Sequence, residues 1–383
     1  MSLVSGSLPA PTGTLPADFV RGLLRAESAA WPPEAQARFG RDLLSFIRQH
    51  SVEALAFWRL SQDPARDSWP AHVREDLAEG ARSEAVLEAG RIGELRRLLA
   101  ALAEEGVIAL LVKGAALGYL HYPEPWLRPR NDNDLLVRRD DVARADRVLT
   151  ALGYRETNAL GGDLTSYQSQ YVKTDDLGFT HAVDLHWKLS NRPRVSDVLP
   201  FDELARTSTA IPALGPAART IDDVHALVLA CVHTAAHHRN CHNLIWSYDV
   251  HLLASRLDEP GFARLAAFAR SRGIAAICAT GLHRAEIDYH TALPSGLMRR
   301  LEVQGEESAA YLGTGPWRGD VRLDDLRALP DWRARARLVR QVVLPPREYM
   351  LRRYDSHRLA FVPFFHVHRL VLGTWRLVRR LCL

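Results

Sequence analysis

The chain has 383 residues, of which 47% are hydrophobic and 25% are charged, and its formal net charge is +4. This is the composition of a globular chain long enough for a large core or for two or three subdomains, and it excludes a low-complexity protein. Four cysteines in so long a chain exclude a disulfide scaffold. The sequence contains no run of 18 apolar residues, so no transmembrane helix is predicted. The mild excess of positive charge permits nucleic acid or another anionic ligand without favouring either.

The first part of the chain divides into a tail and a helical segment. Residues 1–16 are rich in Ser, Gly and Pro, which predicts a disordered tail. They lack a basic region followed by an apolar run, so they do not form a signal peptide, and we expect a cytoplasmic, bacterial protein with reduced thiols. Over residues 17–106 apolar side chains recur at helical spacing, and a long helix is predicted over Ala71–Glu105, after Pro70. This segment could cover one face of a sheet.

Residues 107–200 alternate between strand-like and helix-like patterns, which predicts an α/β (α+β) core with a small mixed β-sheet. After the first strand, Lys113-Gly114 breaks the apolar run. Later in this section, two strand-like runs joined by a turn predict a β-hairpin. The predicted elements are strands Val107–Val112 and Asp134–Val137, helices Ala115–Leu120 and Asp141–Leu152, and hairpin arms Ser166–Val172 and Phe179–Trp187.

The rest of the chain returns to helical patterns. Residues 201–311 predict a helical subdomain, in which Thr220 and Asp223 resemble a capping box that opens a helix. Residues 312–383 predict a linker and a basic C-terminal helical segment, whose last helix is expected over Val362–Leu381. From Arg333 to Arg380 there are twelve arginines and two carboxylates. Such a segment could dock on nucleic acid or anionic lipid, but a solvated helix with its apolar side packed on the protein is favoured.

Three aspartates carry the chemistry. Asp132 and Asp134 stand two apart at the head of an apolar run, so in a strand both project from one face and repel unless a cation separates them. A divalent metal with oxygen ligands is the usual solution. With Asp184 on the hairpin arm, and with a turn at Gly114 that presents backbone N–H groups to phosphate, these are the parts that phosphoryl or nucleotidyl transfer requires. In the alternative interpretation, the aspartates merely cap a loop and end a hairpin.

Five short stretches carry a resemblance to a known family. They are Leu111–Leu117 (LVKGAAL), Tyr122-Pro123, Leu127–Pro129 (LRP), Asp132–Val137 (DNDLLV) and Val183–Trp187 (VDLHW). Together they resemble the bacterial uncharacterised nucleotidyltransferase family of the DNA polymerase-beta-like nucleotidyltransferase superfamily. The resemblance implies a Mg²⁺- or Mn²⁺-dependent enzyme that transfers an NMP from an NTP to an unidentified acceptor with release of pyrophosphate. Small molecule, peptide, glycan precursor and protein all remain open as acceptor.

The resemblance also implies roles for individual residues. Asp132 and Asp134 would bind metal, and Asp184 would be the third ligand and would orient the acceptor hydroxyl or accept its proton. The Gly114 turn, with the amide of Ala115, would hold the β- and γ-phosphates.

Four further residues flank these positions in the sequence. Lys113 and Arg128 could bind the triphosphate, as could Arg130 with less support. His186 shares the face of Asp184, either as a cofactor-binding residue or as a hydrogen-bonded structural histidine.

Two departures from the superfamily pattern keep other functions open. Ala115 replaces the small hydroxyl residue or glycine that usually follows the turn glycine, and Asn133 stands where an apolar residue is expected. They favour, as an alternative, a non-catalytic nucleotide-binding or partner-binding protein on the same fold. A third candidate is an RNA-directed transferase that uses the C-terminal arginines, although nucleic acid is not the favoured partner.

A cluster of histidines and cysteines suggests zinc at first sight. On a helix His233 and His237 lie one turn apart, but Thr234 occupies the position of the general base in H-E-x-x-H hydrolases. The spacing downstream does not restore a known zinc site. We therefore expect these histidines to line the nucleotide cleft or a helix interface. The cluster comprises Cys231, His233, His237, His238, Cys241 and His242.

Overall fold

The structure is a computed structural model that describes residues 16–33, 38–157, 166–238, 240–302, 307, 311–312, 319–354, 356 and 358–381. The predicted N-terminal tail lies outside the described residues except for Pro16, which begins the first helix. The linker was predicted over Leu312–Asp320, and its residues 313–318 also lie outside the described residues.

Four helices precede the sheet: α1 (Pro16–Leu24), α2 (Phe39–Gln49), α3 (Glu53–Gln62) and α4 (Ala71–Glu104). The first three pack with the N-terminal half of α4 in the larger of two hydrophobic clusters. The C-terminal half of α4 packs on the sheet through Leu95, Leu98, Leu99 and Leu102, which belong to the second cluster. The 3–4 spacing of apolar residues predicted a helical segment, which is confirmed, and it packs on the sheet through the C-terminal half of α4.

Among the described residues, the sheet has seven strands, numbered in chain order, and their order in the sheet is β3-β4-β5-β2-β1-β7-β6. Strand β2 is antiparallel to β1 and parallel to β5, so the predicted mixed sheet is confirmed. The two-residue strands β7 and β6, at one side of the sheet, come from residues after 200, so the sheet extends past the predicted end of the core. The strands are β1 (Ala109–Val112), β2 (Asn133–Val137), β3 (Arg155–Glu156), β4 (Gln168–Thr174), β5 (Thr180–His186), β6 (Thr209–Ala210) and β7 (Arg219–Thr220).

Within the described residues, three helices lie between strands of the sheet: α5 (Lys113–Leu120), α6 (Val142–Ala151) and α7 (Phe201–Arg206). The predicted turn at Gly114 is wrong in detail, because α5 begins at Lys113 directly after β1. The left-handed backbone conformation belongs to Lys113, with φ of 55°. A residue with a Cβ atom is disfavoured there, and such strain persists only where the surroundings hold it in place.

The helices after the sheet form a second layer beside it. The capping box predicted at Thr220 is wrong, because Thr220 belongs to β7 and the first amides of α8 are bound instead by Asp222. Its Oδ1 accepts hydrogen bonds from the backbone N–H groups of Val224 at 3.0 Å and His225 at 3.1 Å. These helices are α8 (Asp223–His238), α9 (Leu244–Ala254), α10 (Glu259–Ser271), α11 (Ala275–Tyr289) and α12 (Leu297–Arg300).

Four helices end the described chain: α13 (Gly319–Ala328), α14 (Trp332–Val343), α15 (Arg347–Arg353) and α16 (Val362–Leu381). The last has the predicted bounds. Asp325 of α13 joins this region to the preceding layers, since its carboxylate accepts hydrogen bonds from Tyr311 Oη at 2.5 Å and Arg192 Nη1 at 3.4 Å. Within the described residues, no helix combines the length and apolar character needed to cross a membrane. The expected cytoplasmic location stays a prediction.

Candidate active site

Strand register brings two of the predicted aspartates together. In the parallel pair β2 and β5, Asp134 is opposite Asp184, and His186 lies two residues further along β5. Residues two apart in a strand share a face, so all three side chains project to the same side of the sheet. All three are buried, and one potential ligand atom from each lies within 4.8 Å of the other two. In the part of the chain that the structure describes, this is the group of acidic and histidine side chains able to hold a metal ion.

Hydrogen bonds fix the two carboxylates in place. Oδ1 of Asp134 accepts from Lys113 Nζ at 2.6 Å and contacts His186 Nε2 at 2.7 Å. Oδ2 of Asp184 accepts from the side-chain amides of Gln168 at 2.8 Å and Gln170 at 3.3 Å. Sequence reasoning missed both glutamines. The hairpin register contains the signal that could have found them, because Gln170 is directly opposite Asp184.

The charges of the three aspartates act on one another. Burial, together with the negative charges of Asp134 and Asp184, raises the pKa of Asp132 to about 6. Burial also raises the pKa of Asp184, although His186 opposes that shift. Burial alone would raise the pKa of Asp134 as well, but Lys113 and His186 hold it well below its usual range. The site therefore contains one strongly stabilised carboxylate and two whose ionisation the protein itself disfavours.

A cavity of about 540 Å³ opens above the carboxylates. Lys113, Gly114 and Asp132 line it on the side of the sheet, so Asp132 faces the same space although it lies outside the group of three. The opposite wall belongs to α8 and α9. This volume is within the range typical of small-ligand sites. The residues of that wall include Ala230, His233, Thr234, His237, His238, Trp246 and Asp249.

The structure places two of the predicted phosphate-binding residues in packed surroundings. Arg128 lines the cavity, but its guanidinium pairs with Asp249 of α9, with Nη2 2.7 Å from Oδ2 and Nε 2.8 Å from Oδ1. Tyr122 Oη donates to the same carboxylate at 2.7 Å. The side chain of Ala115 is buried in the second hydrophobic cluster. The roles predicted for Arg128 and Ala115 in phosphate binding stay predictions.

Asn133 has its own explanation. It is buried as the first residue of β2, and its Oδ1 accepts a hydrogen bond from Arg130 Nε at 3.2 Å. Arg130 forms a buried ion pair with Glu88 of α4, which also accepts a hydrogen bond from Tyr119 Oη. A polar residue is tolerated at this position because the buried network provides its hydrogen-bond partner. Arg130 is part of this network as well as of the cavity lining.

The histidines of α8 interact with one another at the far wall of the cavity. The Nε2 atoms of His233 and His238 are 3.0 Å apart, and His237 Nε2 is 3.1 Å from Ser190 Oγ. Burial and the positive charge of Lys113 lower the pKa of His237 to about 3, and the same two causes lower that of His233 well below its ordinary value. Both are therefore neutral near pH 7. His233, His237 and His238 line the cavity, which is one of the two positions expected for these histidines, whereas His242 Nε2 lies 2.8 Å from Oδ2 of Asp288 on α11.

Comparison with known families agrees with this geometry. The model of the uncharacterised nucleotidyltransferase family matches residues 40–288. The chain belongs to this family. The match includes the whole sheet, the cavity and every candidate site residue of the nucleotidyltransferase core, whereas α13–α16 lie beyond it. No curated protein matches the chain.

Proposed function

We propose that this member of the nucleotidyltransferase family transfers an NMP from an NTP to an acceptor, with release of pyrophosphate and with Mg²⁺ or Mn²⁺ as cofactor. The observation that carries the proposal is the pairing of Asp134 with Asp184 across β2 and β5, beside the N-terminus of α5. The acceptor, whether small molecule, peptide, glycan precursor or protein, is not identified by these residues.

The donor set fits a divalent cation. Two carboxylates and an imidazole converge within 4.8 Å, and Nδ1 of His186 is buried without a hydrogen-bond partner among the described residues. Burial, with the negative charge of neighbouring carboxylates, raises the pKa values of Asp132 and Asp184, and a bound cation would favour their ionised forms. Carboxylate oxygens suit Mg²⁺ and Mn²⁺. We assign Asp132, Asp134 and Asp184 as ligands, with His186 beside them; a cation bound there would neutralise phosphate charge and polarise the transferred phosphoryl group.

The first turn of α5 supports phosphate binding. The N–H groups at the start of a helix lack partners within the helix, and no side chain caps α5. Gly114 and Ala116 line the cavity at this turn. The backbone N–H groups of these two residues, and that of Ala115 between them, can therefore donate hydrogen bonds to phosphate oxygens. Lys113 adds a positive charge next to the same turn. Arg128 is held by Asp249, and we assign it to positioning α9 against the turn.

Asp184 is the proposed base toward the acceptor. Its pKa is raised, which brings its basicity closer to that of an effective general base near neutral pH. Gln168 and Gln170 both bond Oδ2 and so fix the orientation of the carboxylate. The neutral histidines of α8 line the remaining part of the cavity, where the acceptor or the nucleoside would lie.

The test uses NTPs labelled at the α- or the γ-phosphate, with Mg²⁺ or Mn²⁺ and a panel of acceptors. We expect transfer of the α-label only. Asp134→Asn and Asp184→Asn should lower the rate of transfer at least about a hundredfold, because replacing a metal ligand should cost more than replacing a residue that only supports a ligand, which costs about 10–100-fold. The control is Asp197→Asn, whose largely exposed carboxylate pairs with Lys188 away from the cavity. Transfer of the γ-label, or full activity in Asp134→Asn, would refute the proposal.

One observation favours a second candidate, a nucleotide-binding protein without transfer activity. The ammonium group of Lys113 is 2.6 Å from Asp134 and so already places a cation on the central carboxylate. Calorimetric titration with NTP separates the two functions. A binder would retain NTP equally well in EDTA and show no release of pyrophosphate with any acceptor, whereas the proposed enzyme requires the metal for both.

A further inference from the structure

The charge of this protein is concentrated at one end of the chain. Residues 333–381, here called the basic segment, contain twelve arginines and two carboxylates, a formal charge of +10. Since the whole chain carries +4, the remaining residues carry −6. The last part is the most one-sided, because residues 356–381 contain five arginines and no Asp or Glu. The basic segment also lies beyond the part of the chain that matches the nucleotidyltransferase family.

An apolar stripe runs along the exposed side of α16. Phe364, Val367, Val371 and Trp375 follow one another at spacings of three, four and four residues, which places them on one face of the helix. Their exposed fractions are 63%, 59%, 61% and 55%. Phe361, in the turn before α16, extends the stripe and is 45% exposed. A row of large apolar side chains facing solvent marks a surface that binds something.

The orientation of α16 is fixed by contacts on its other side. The ring of Phe365 stacks on Tyr354 with 4.4 Å between centroids. Arg369 Nη1 donates to the carbonyl oxygens of Val342 at 2.8 Å and Val343 at 3.2 Å. The expectation that this helix would pack its apolar side on the protein is therefore not met for Val367 and Val371, which face away from these contacts.

Helix α14 repeats the same combination of groups. Trp332 is 71% exposed, and the guanidinium of Arg333 lies 5.6 Å from the centre of its ring. In the same way, Arg358 lies 5.9 Å from the ring centre of the exposed Phe361. An arginine thus lies beside an exposed aromatic ring both at the start of α14 and in the turn before α16. This arrangement suits a boundary at which anionic groups meet apolar chains.

We propose that the basic segment binds the surface of an anionic lipid bilayer, with the apolar stripe of α16 inserted at the level of the headgroups. Basic amphipathic helices with exposed Trp, Phe and aliphatic residues bind in this way, and each nearby arginine adds attraction to anionic lipid. RNA fits less well, since the two valines in the stripe offer nothing for bases to stack on. A second copy also fits less well, because two segments of +10 would repel.

The experiment uses the full chain and vesicles of phosphatidylcholine, with or without about 30% phosphatidylglycerol, to provide the anionic surface charge. We expect co-sedimentation with the anionic vesicles, weak binding to the neutral ones, and a decrease in binding as the salt concentration rises. Equal binding to both kinds of vesicle, or none to either, would overturn the proposal.

Two sets of variants test the two parts of the surface. Phe364→Ser combined with Val367→Ser and Val371→Ser should weaken binding at least tenfold, and Arg333→Gln with Arg340→Gln and Arg358→Gln about a hundredfold. All six side chains are exposed, so circular dichroism should be unchanged. The control is Leu177→Ser, which removes a leucine that is 84% exposed in the hairpin turn.

Three results would replace the bilayer with another partner or remove the proposal. Unchanged vesicle binding in either variant set would refute it. Concentration-dependent dimerisation that the serine variant abolishes, without vesicle binding, would identify a second copy as the occupant. Salt-sensitive retention of RNA, without vesicle binding, would identify nucleic acid. Nucleotidyl transfer to a soluble acceptor should be the same in all these variants, so this test is independent of the proposed function.

Discussion

The cavity region and the basic segment differ in the environment of their charged and apolar side chains. Around the cavity, buried charges have partners, as in the pairs of Glu88 with Arg130 and of Arg128 with Asp249. In the basic segment, Arg333 and Arg358 lie beside exposed rings, and large apolar side chains face outward. Buried charges are retained only when they are paired, whereas exposed apolar stripes are not explained by the stability of the fold. The cavity region thus pairs its buried arginines, whereas the basic segment leaves large apolar side chains exposed, as the proposed contact with a bilayer requires.

The largest expected effect is on stability, from the buried ion pair. Glu88→Ala leaves the buried guanidinium of Arg130 without its carboxylate and should lower the free energy of unfolding by about 3–5 kcal/mol. Urea denaturation measures this change. The matched control is Asp197→Ala, which breaks the solvent-exposed pair with Lys188 and should change stability by less than about 1 kcal/mol. Equal effects of the two substitutions would remove the contrast drawn here.

Acid should destabilise the protein through His50. Burial, with the nearby positive charges of His242 and Arg21, lowers the pKa of His50 to about 4 from an ordinary value of 6.5. The unfolded chain therefore binds a proton as the pH falls through 6.5, while the folded state binds it only near pH 4, so stability is lost between these values. His50 accepts a hydrogen bond from the backbone N–H of Leu244 through Nδ1, and Asn can replace that acceptor.

The variant His50→Asn should consequently lose less stability than the natural chain between pH 7 and pH 4. The expected difference is on the order of 2 kcal/mol, measured by urea denaturation at each pH. His283→Asn is the control, because that side chain is 64% exposed and its replacement should leave the pH profile unchanged. Identical profiles for His50→Asn and the natural chain would show that His50 is not responsible.

Two glycines of α4 sharpen the comparison between packed and open surfaces. A Cβ atom at Gly90 would lie 2.6 Å from ring atoms of Phe179 in the hairpin, whereas a Cβ atom at Gly93 would meet nothing within 4 Å. Gly90→Ala should therefore destabilise the protein by about 1–3 kcal/mol, and Gly93→Ala should stabilise it by about 0.5–1 kcal/mol. Thermal denaturation of both variants checks the opposite signs. If both substitutions stabilised the protein, the ring of Phe179 would have to move aside at no cost in free energy.

The smallest effect is expected in the exposed stripe. Val371→Ala should change the free energy of unfolding by no more than about 0.5 kcal/mol, since the side chain is largely exposed. Val228→Ala, at a fully buried position of α8, should cost about 2 kcal/mol. A large loss from Val371→Ala would show that the stripe packs within the protein, and that would weaken the proposed membrane contact.

The sequence by itself determined the elements and much of their order. Helical spacing predicted α4 and α16 closely, and the alternating section predicted a mixed sheet with Asp134 at the head of a strand. It missed the short strands β6 and β7, because two residues carry too little periodicity to be recognised. It also misplaced the turn before α5, since nothing local shows that Lys113 rather than Gly114 takes the left-handed conformation.

Only the tertiary structure decided which side chains meet. His186 joins Asp134 because β5 pairs with β2 in one register, and Arg128 is held by Asp249, a residue 121 positions away. Asn133 is satisfied by a network that begins on α4. Local patterns determine where a helix or strand forms, because they depend on neighbours in the chain, but the partner of a buried polar group depends on how distant segments pack. The sequence therefore predicted three candidate aspartates, and only the tertiary structure showed that Asp134 and Asp184 meet beside His186.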